Sequence, residues 1–377
     1  MARILRRKQG FAHPFSLISV LLIILISACT RTQPVVIGFA ASLSGSEFLL
    51  GVEGRNAAAL FVKEANEAGG LKGRPLHLEI RDFASDTTTV AAQTRSLVDA
   101  GAVLIVGYYT SSAALVAAAI PESERVPLIS PSATSDALTG LKDGFYRTIM
   151  SSASDGLHLA RHMKDRGFER ILLLANAGNA AYVDTYTRAL AREVQLCAEI
   201  SFLRTADIDY QYIEALAQKP GEERYQVVMI IAGSLDTGRV AQELSIRGLL
   251  APLYVSGWAG TDDLVAFGGK AVDGAVFVHQ TDPDHPSVQD FSRRYARLYG
   301  VQPGFGAIQT WDAMTLAMEV LAKANADPGR IASVIQGIGQ VEGLMGTIVL
   351  DEYGDAKRSL YLKRVDGNHI VTLGKVE

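Results

Sequence analysis

Hydroxyl-bearing side chains follow two apolar segments in the first third of the chain. Residues 107–112, Gly-Tyr-Tyr-Thr-Ser-Ser, come directly after the apolar run 103–106, and residues 131–134, Pro-Ser-Ala-Thr, follow a run that ends at Ser130. If each run is a strand that leads into a helix, these hydroxyls lie at a helix N-terminus, whose partial positive charge favours an anion such as a carboxylate. The same residues are also common helix caps. Both interpretations, a carboxylate site and simple capping, stay open from the sequence.

The common catalytic patterns are missing from the sequence. It has no Gly-x-Ser-x-Gly elbow, no Gly-x4-Gly-Lys-Ser/Thr phosphate loop, no His-Glu-x2-His pair, and no Gly-x-Gly-x2-Gly after the first predicted strand. His158 and His162 could share a metal, but Arg161 lies between them, so a solvated helix face is favoured. Asp282 and Asp284 lack the Gly and the terminal Glu of a calcium loop. We therefore expect no enzyme, no metal site and no cofactor.

Short β-branched runs alternate with segments of helical period from Val35 onward, which is typical of parallel sheets crossed by helices. Strands are predicted at 35–40, 76–82, 103–106, 127–130, 170–175, 198–202, 227–231, 253–255 and 275–278, and extended runs at 347–350, 359–365 and 369–373. Helices are predicted at 88–100, 112–120, 182–193, 210–218, 236–247, 291–299 and 306–323, after an Ala-rich helix that ends at 69–70. A second series starts near Ala153 with no Pro/Gly/Ser-rich linker before it. The sequence predicts an α/β protein of two lobes joined by several short strands.

The N-terminus combines a basic start with a short apolar run and a cysteine. Four basic residues precede the apolar stretch 17–26, and Ile26-Ser27-Ala28-Cys29 closes it. The run is shorter than the ~20 residues of a spanning helix but long enough for a cleavable signal. The closing tetrapeptide resembles a bacterial lipobox, which implies a signal peptide at 1–28 and a lipid-linked Cys29. The alternative is an ordinary secretory signal with a chance cysteine. The lipobox reading predicts a membrane-anchored protein on the periplasmic or extracellular face.

Composition limits the partners of the chain. Its 377 residues are 48% hydrophobic and 20% charged, with a net charge of −4, and this length fits about two domains. Outside the N-terminal segment no cluster of Lys and Arg forms the basic stripe that nucleic acid requires, so we expect no nucleic-acid binding. If Cys29 carries lipid, Cys197 stands alone and no intramolecular disulfide can form.

Several motifs with their spacing resemble one protein family. They are residues 37–45, residues 64–74, Asp82 with Asp86, residues 107–112, residues 129–134, and Trp311-Asp312-Ala313. Together they resemble the class I periplasmic solute-binding proteins of ABC transporters, in the leucine/isoleucine/valine-binding and amide-binding branch. The resemblance covers essentially the whole mature chain.

This resemblance implies an architecture and a function. The fold would be two Rossmann-like three-layer lobes joined by a multi-strand hinge, the first formed by 35–149 plus 282–341 and the second by 150–281 plus 342–377. The lobes would close around a small ligand, an amino acid first and an amide or organic acid second, and present it to an ABC permease. We expect a monomer. The alternative is a sensor lipoprotein that signals to a receptor or envelope enzyme.

The resemblance also implies ligand-binding residues. Ser111, Ser132 and Thr134 match first-lobe residues that hold an amino acid, beside Tyr109 in the same turn, whereas Tyr182 and Ser234 match second-lobe positions. Trp258 is a departure, because branched-chain amino-acid binders place an acid there or next to it. Either another carboxylate, Asp236 or Asp262, supplies the counter-charge, or the ligand has no ammonium. Trp258 could stack on an apolar or cationic group, or simply pack in the core.

Overall fold

The computed structural model describes residues 33–45, 47–221, 224–282 and 285–376. The predicted signal peptide at 1–28 and the predicted lipidation site Cys29 lie outside these residues. Within the described ranges, none of the helices combines the length and the apolar character that a membrane crossing requires.

The first half of the chain forms a five-stranded parallel sheet. Its strands are β1 (Val35–Ala41), β2 (Leu76–Asp82), β3 (Ala102–Val106), β4 (Leu128–Ser130) and β5 (Phe145–Arg147). The helices between them are α1 (Phe48–Glu67), α2 (Val90–Asp99) and α3 (Ser111–Ala118). The strand order is β2-β1-β3-β4-β5, so the order reverses between β1 and β3. In such a sheet a ligand binds beyond the carboxyl ends of the strands near the reversal.

The second sheet repeats this topology and adds two antiparallel strands. Its parallel strands are β6 (Arg170–Asn176), β7 (Gln195–Phe202), β8 (Val227–Ile231), β9 (Leu253–Val255) and β10 (Val276–His279). The helices of this part are α4 (Ser152–Asp165), α5 (Ala180–Leu190), α6 (Tyr210–Ala217), α7 (Ser234–Ile246) and α8 (Asp262–Gly268). The sheet order is β15-β14-β10-β9-β8-β6-β7. The prediction of an α/β protein with two lobes is confirmed.

The C-terminal segment, residues 285–376, packs against the first sheet and then adds strands to the second. Helices α9 (Pro286–Tyr299), α10 (Phe305–Ala324) and α11 (Pro328–Ile338) are followed by a small sheet of β11 (Gln340–Gly343), β12 (Gly346–Leu350) and β13 (Ala356–Lys357). The last strands, β14 (Leu360–Asp366) and β15 (His369–Val376), then extend the second sheet.

One predicted boundary needs correction. The sequence analysis assigns 342–377 to the second lobe, but Ile348, Leu350 and Ala356 are buried in the same core as β1 and β3 of the first sheet. Apolar side chains from the small sheet thus complete the first core, and the chain returns to the second sheet only after Lys357. The other lobe boundaries stay a prediction.

Close packing of α1 against the first sheet depends on small residues. A Cβ atom built on Gly51 would lie 1.9 Å from the backbone oxygen of Ser42, and one built on Gly54 would lie 2.0 Å from the Tyr109 hydroxyl. The two glycines therefore let α1 pack directly against the backbone after β1 and against the Tyr109 ring.

We expect Gly51→Ala to destabilise the protein, because the backbone at Ser42 cannot move away without shifting β1. Overpacking of this kind costs on the order of 1–3 kcal/mol. Gly337→Ala is the matched control, since Gly337 lies exposed in α11 with no atom within 4 Å of an added Cβ. The urea midpoint of Gly51→Ala should be lower than that of the wild type, and the midpoint of Gly337→Ala should not. Equal midpoints for the two variants would contradict this packing.

Candidate functional site

A cleft between the two lobes contains two adjoining chambers. The inner chamber is lined by residues from both lobes, which are Leu50, Tyr109, Thr110, Ser132, Thr134, Ile149, Asp155, Asn179, Tyr182, Gly257, Trp258, His279, Gln280, Phe305 and Gln309. The lining of the outer chamber includes Glu47, Glu53, Ser234, Asp236, Thr261 and Asp263. Leu50, Trp258 and Phe305 line both. One elongated ligand could therefore occupy both chambers.

The structure brings most of the predicted site residues to this cleft. Tyr109, Ser132, Thr134, Tyr182 and Trp258 line the inner chamber. Ser234, the first residue of α7, was also predicted as a site residue, but it lines the outer chamber instead.

Ser111 lines neither chamber. Its Oγ accepts hydrogen bonds from the backbone N–H groups of Thr134 and Ser135, both at 3.1 Å. The side chain thus holds the turn that carries Thr134 and positions this residue at the chamber wall.

The hydroxyls of the first-lobe residues differ in what they can still bind. The Tyr109 hydroxyl is hydrogen-bonded to the Thr310 hydroxyl, so Tyr109 presents its ring to the chamber. Ser132 Oγ donates to the Tyr109 carbonyl at 2.7 Å, which leaves only its acceptor capacity free. Thr134 Oγ1 is buried without a partner among the described residues. Thr134 is therefore the hydroxyl best placed to donate a hydrogen bond to a ligand.

Asp155, in the first turn of α4, supplies a carboxylate that the sequence analysis missed. The residue is only 5% exposed, and its Oδ1 has no hydrogen-bond partner in the described part of the chain. Burial raises the pKa of Asp155 to about 7, although a hydrogen bond from Gln280 partly offsets this effect. A buried carboxylate without a counter-charge is unfavourable until a cation pairs with it. Asp155 can therefore receive an ammonium group.

Gln280 and His279 line the inner chamber together with Asp155. The Gln280 amide accepts from Met150 N at 2.7 Å and donates to Met150 O at 3.2 Å. His279 Nδ1 accepts from Thr281 N at 2.9 Å, which leaves the ring proton on Nε2. Burial lowers the pKa of His279 to about 3. The histidine is therefore neutral and adds no positive charge to the chamber.

Gln309 is a second residue that sequence reasoning missed. It lies on α10 with 3% of its surface exposed, and neither amide atom has a partner among the described residues. An unpaired buried amide costs about 1–3 kcal/mol, which a ligand that bonds to it would recover. The available signal was a Gln that directly follows the apolar first turn 305–308 of a helix.

Aromatic side chains form the second-lobe wall. Trp258 and Tyr182 meet edge to face, with ring centroids 5.7 Å apart and an interplanar angle of 74°. The two acids that the sequence analysis considered as counter-charges lie elsewhere, because Asp236 lines the outer chamber and Asp262 is exposed and lines neither chamber. Trp258 therefore faces the ligand space, and the inner carboxylate comes from α4.

Hydrogen bonds join the two lobes at the rim of the cleft. Ser112 N donates to Asn179 Oδ1 at 3.1 Å, and Ala181 N donates to Ser112 Oγ at 3.3 Å. Asp136 N donates to Thr185 Oγ1 at 3.1 Å. The N-termini of α3 and α5 thus cap each other across the cleft, as expected for closed lobes.

No cluster of three or more His, Cys, Asp or Glu residues with the proximity needed for a metal ion occurs in the described ranges. His158 and His162 lie on α4, and His162 Nδ1 lies 3.1 Å from the Tyr254 hydroxyl.

Known proteins share this architecture over most of their length. Two curated relatives are the "Leu/Ile/Val-binding protein homolog 1" of Brucella suis, 22% identical over 89% of this chain and 92% of its own, and the "Leucine-, isoleucine-, valine-, threonine-, and alanine-binding protein" of Pseudomonas aeruginosa, 25% identical over 85% and 87%. Among solved structures, a leucine-binding protein from Thermotoga maritima gives a TM-score of 0.80 at 20% identity, covering 91% of this chain and 99% of that one. A solute-binding protein from R. palustris in complex with benzoate gives 0.78 at 20% identity, covering 91% and 96%.

The family model described as periplasmic binding protein matches residues 34–369, which is nearly all of the described chain. Membership implies an extracytoplasmic location and a role in solute binding instead of catalysis. The match includes both sheets except the last strand, β15, and it includes α10, which lines the cleft. The chain therefore belongs to the periplasmic binding protein family.

Proposed function

We propose that the protein captures an α-amino acid in the inner chamber and presents it to an ABC permease. The observation that carries this proposal is the set of buried polar atoms with free hydrogen-bonding capacity around one chamber, on Thr134, Asp155 and Gln309. Such atoms are costly unless a ligand satisfies them. The remaining walls are aromatic or aliphatic, as in most small-molecule sites.

The two charged groups of an amino acid find different partners here. The carboxylate fits the Thr134 hydroxyl, and the dipole of α3, whose N-cap Thr110 also lines the chamber, favours its negative charge. The ammonium fits Asp155, and Ser132 Oγ can accept one of its hydrogens. Relatives named for binding leucine, isoleucine, valine, threonine and alanine support this assignment.

An aromatic carboxylate is the second candidate. The aromatic walls at Tyr109, Tyr182, Trp258 and Phe305 favour it, and structurally similar proteins are known in complex with benzoate and 4-hydroxybenzoate. Asp155 argues against it, because a ligand without an ammonium would leave this carboxyl group unpaired.

A thermal-shift screen of the chain starting at Thr30 tests the proposal. The panel contains the α-amino acids, benzoate, 4-hydroxybenzoate and acetamide. A ligand present at 100 times its Kd should add about 2.7 kcal/mol to the unfolding free energy. We expect the response from one or more amino acids. A response restricted to benzoates or to acetamide would contradict amino-acid capture.

We further propose that Cys29 anchors the mature chain to a membrane through lipid, so that it stays near its permease. Two or three acyl chains would hold it without a spanning helix. Labelled palmitate should enter the wild-type chain and not Cys29→Ser. Uptake of the bound solute by cells, lost on deletion of the gene, would separate transport from the alternative of a sensor lipoprotein.

A further inference from the structure

The outer chamber is rich in carboxyl groups. Four carboxyl groups line it, those of Glu47 and Glu53 from the first lobe and those of Asp236 and Asp263 from the second, and no described Lys, Arg or His does. None of the four forms an ion pair within the part of the chain that the structure describes. The charge of Arg239, which lies outside the lining, only partly offsets the rise in the pKa of Asp236. The chamber thus collects carboxyl groups without a basic side chain among its described lining residues.

These carboxyl groups face each other across the cleft in two pairs. Burial and, to a smaller extent, the charge of Asp236 in the opposite lobe together raise the pKa of Glu47 to about 8. Glu53 is also raised to about 8, by burial and then by the charge of Asp263. Ionising these carboxyl groups in the closed cleft is therefore unfavourable unless a cation lies between them.

Capping explains only part of this arrangement. The Glu53 carboxylate lies at the N-terminus of α10, beside the backbone of Gly304 and Gly306. Asp236 accepts a hydrogen bond from Asn176 Nδ2 at 2.9 Å. However, Glu53 Oε2 is buried in the chamber wall without a hydrogen-bond partner among the described residues. This oxygen has acceptor capacity that a ligand in the chamber can use.

The geometry favours an organic cation over a metal ion. The carboxylates are too dispersed for three of them to hold one metal, since no such group occurs among the described residues. Trp258, which separates the two chambers, offers an indole to an ammonium or guanidinium.

We propose that the outer chamber is a subsite for a second cationic group of the ligand, an ammonium or a guanidinium, which bridges the facing carboxylates of the two lobes. The ligand class is then a basic amino acid whose side chain passes Trp258. This inference rests on the proposed function for the placement of the α-amino acid end in the inner chamber.

Matched ligand pairs test the proposal by calorimetry on the chain from Thr30. Lysine is compared with norleucine, and arginine with citrulline, because each pair differs in the distal charge and little in size. We expect the charged member to bind at least about tenfold more tightly, as a charge-assisted hydrogen bond allows. Asp263→Asn should remove most of this preference. Asp262→Asn is the control, because Asp262 is exposed on the same helix and does not line the chamber.

The outcomes separate this inference from the proposed function. If norleucine and citrulline bind as tightly as lysine and arginine, the outer subsite is wrong and amino-acid capture stands. An unchanged lysine preference in Asp263→Asn would also overturn the subsite. If no amino acid binds, agmatine provides the second test, since it has two cationic groups and no carboxylate. Agmatine binding that depends on Asp263 would support the outer subsite but not amino-acid capture. If agmatine does not bind either, the outer subsite is rejected.

Discussion

Replacing Asp155 by Asn should weaken amino-acid binding at least about 30-fold, the largest loss that we expect from one change in the cleft. The substitution keeps the shape of the side chain but removes the negative charge that would pair with the ammonium. Removing one partner of a buried charge pair costs about 2 kcal/mol or more, which corresponds to this factor. Calorimetry with whichever amino acid gives the largest thermal shift measures it.

The pH dependence of binding gives this prediction a second readout. Because burial raises the pKa of Asp155 to about 7, the free protein carries a mixture of its protonated and ionised forms near neutrality. Affinity for an amino acid with an uncharged side chain should therefore increase from pH 6 to pH 8 and level off once Asp155 is ionised. The increase should be larger in the wild type than in the Asn variant. In the inner chamber, burial lowers the pKa of His279 to about 3 and raises that of Tyr182, so neither adds a transition in this interval. Glu47 and Glu53, whose pKa is raised to about 8, line the outer chamber in both proteins, so the difference between the two profiles reports on Asp155.

The stability of the free protein should change with pH in the opposite direction. The pKa of Asp155 is higher in the folded chain than in the unfolded chain, so folding favours the protonated form. The resulting stabilisation of the folded protein is fully present below about pH 4, near the unfolded pKa, and is lost as the pH rises through about 7. The Asn variant should lose less stability over that interval.

If benzoate were the ligand, its affinity would instead fall from pH 6 to pH 8, because the ionised Asp155 would repel its carboxylate.

Replacing Asp312 by Asn should destabilise the protein by about 3–5 kcal/mol, because a buried charge would lose its partner. Asp312 is fully buried on α10 and pairs with Arg358, whose side chain is 5% exposed. It also accepts from Leu344 N at 2.6 Å, and Arg358 Nε donates to Thr148 O at 3.0 Å. The pair thus ties α10 and the small sheet to the segments that cross between the lobes. The urea midpoint of the chain from Thr30 measures the loss.

Glu67→Gln is the control for the ion pair. Glu67 pairs with Lys63 on the surface of α1, where both side chains are more than half exposed. Solvent screens this pair, so its removal should change the urea midpoint little. If the Asp312 and Glu67 variants unfold at the same urea concentration, the buried pair does not stabilise the hinge region.

Periodic segments were predictable, and short or irregular ones were not. The strands of both sheets that carry four or more apolar residues lie where their patterns predict them, because each is bounded by turn residues. The three-residue strand β5 was missed, since its sequence Phe-Tyr-Arg is not a run of β-branched or aliphatic residues. Helix α11 and strand β11 were also missed. Their side chains fill a core that residues distant in sequence create.

Of the two polar ends of the inner chamber, only the hydroxyl-bearing one was predictable from the sequence. Hydroxyl-rich turns after β3 and β4 were visible because ligands collect at strand ends in parallel sheets. Asp155 was not, since it follows no strand and reaches the chamber only because the hinge brings the start of α4 beside β10.

By itself the sequence determined the α/β class, the two-lobe plan and the family, because hydrophobic period and motif spacing are local properties of the chain. Tertiary structure decided which polar groups share a cavity. It joined Thr134, Asp155 and Gln309 around one chamber and set two pairs of carboxyl groups face to face in the next. The physical reason is that burial and the proximity of charges, which determine the cost of each unpaired group, exist only after the two lobes meet.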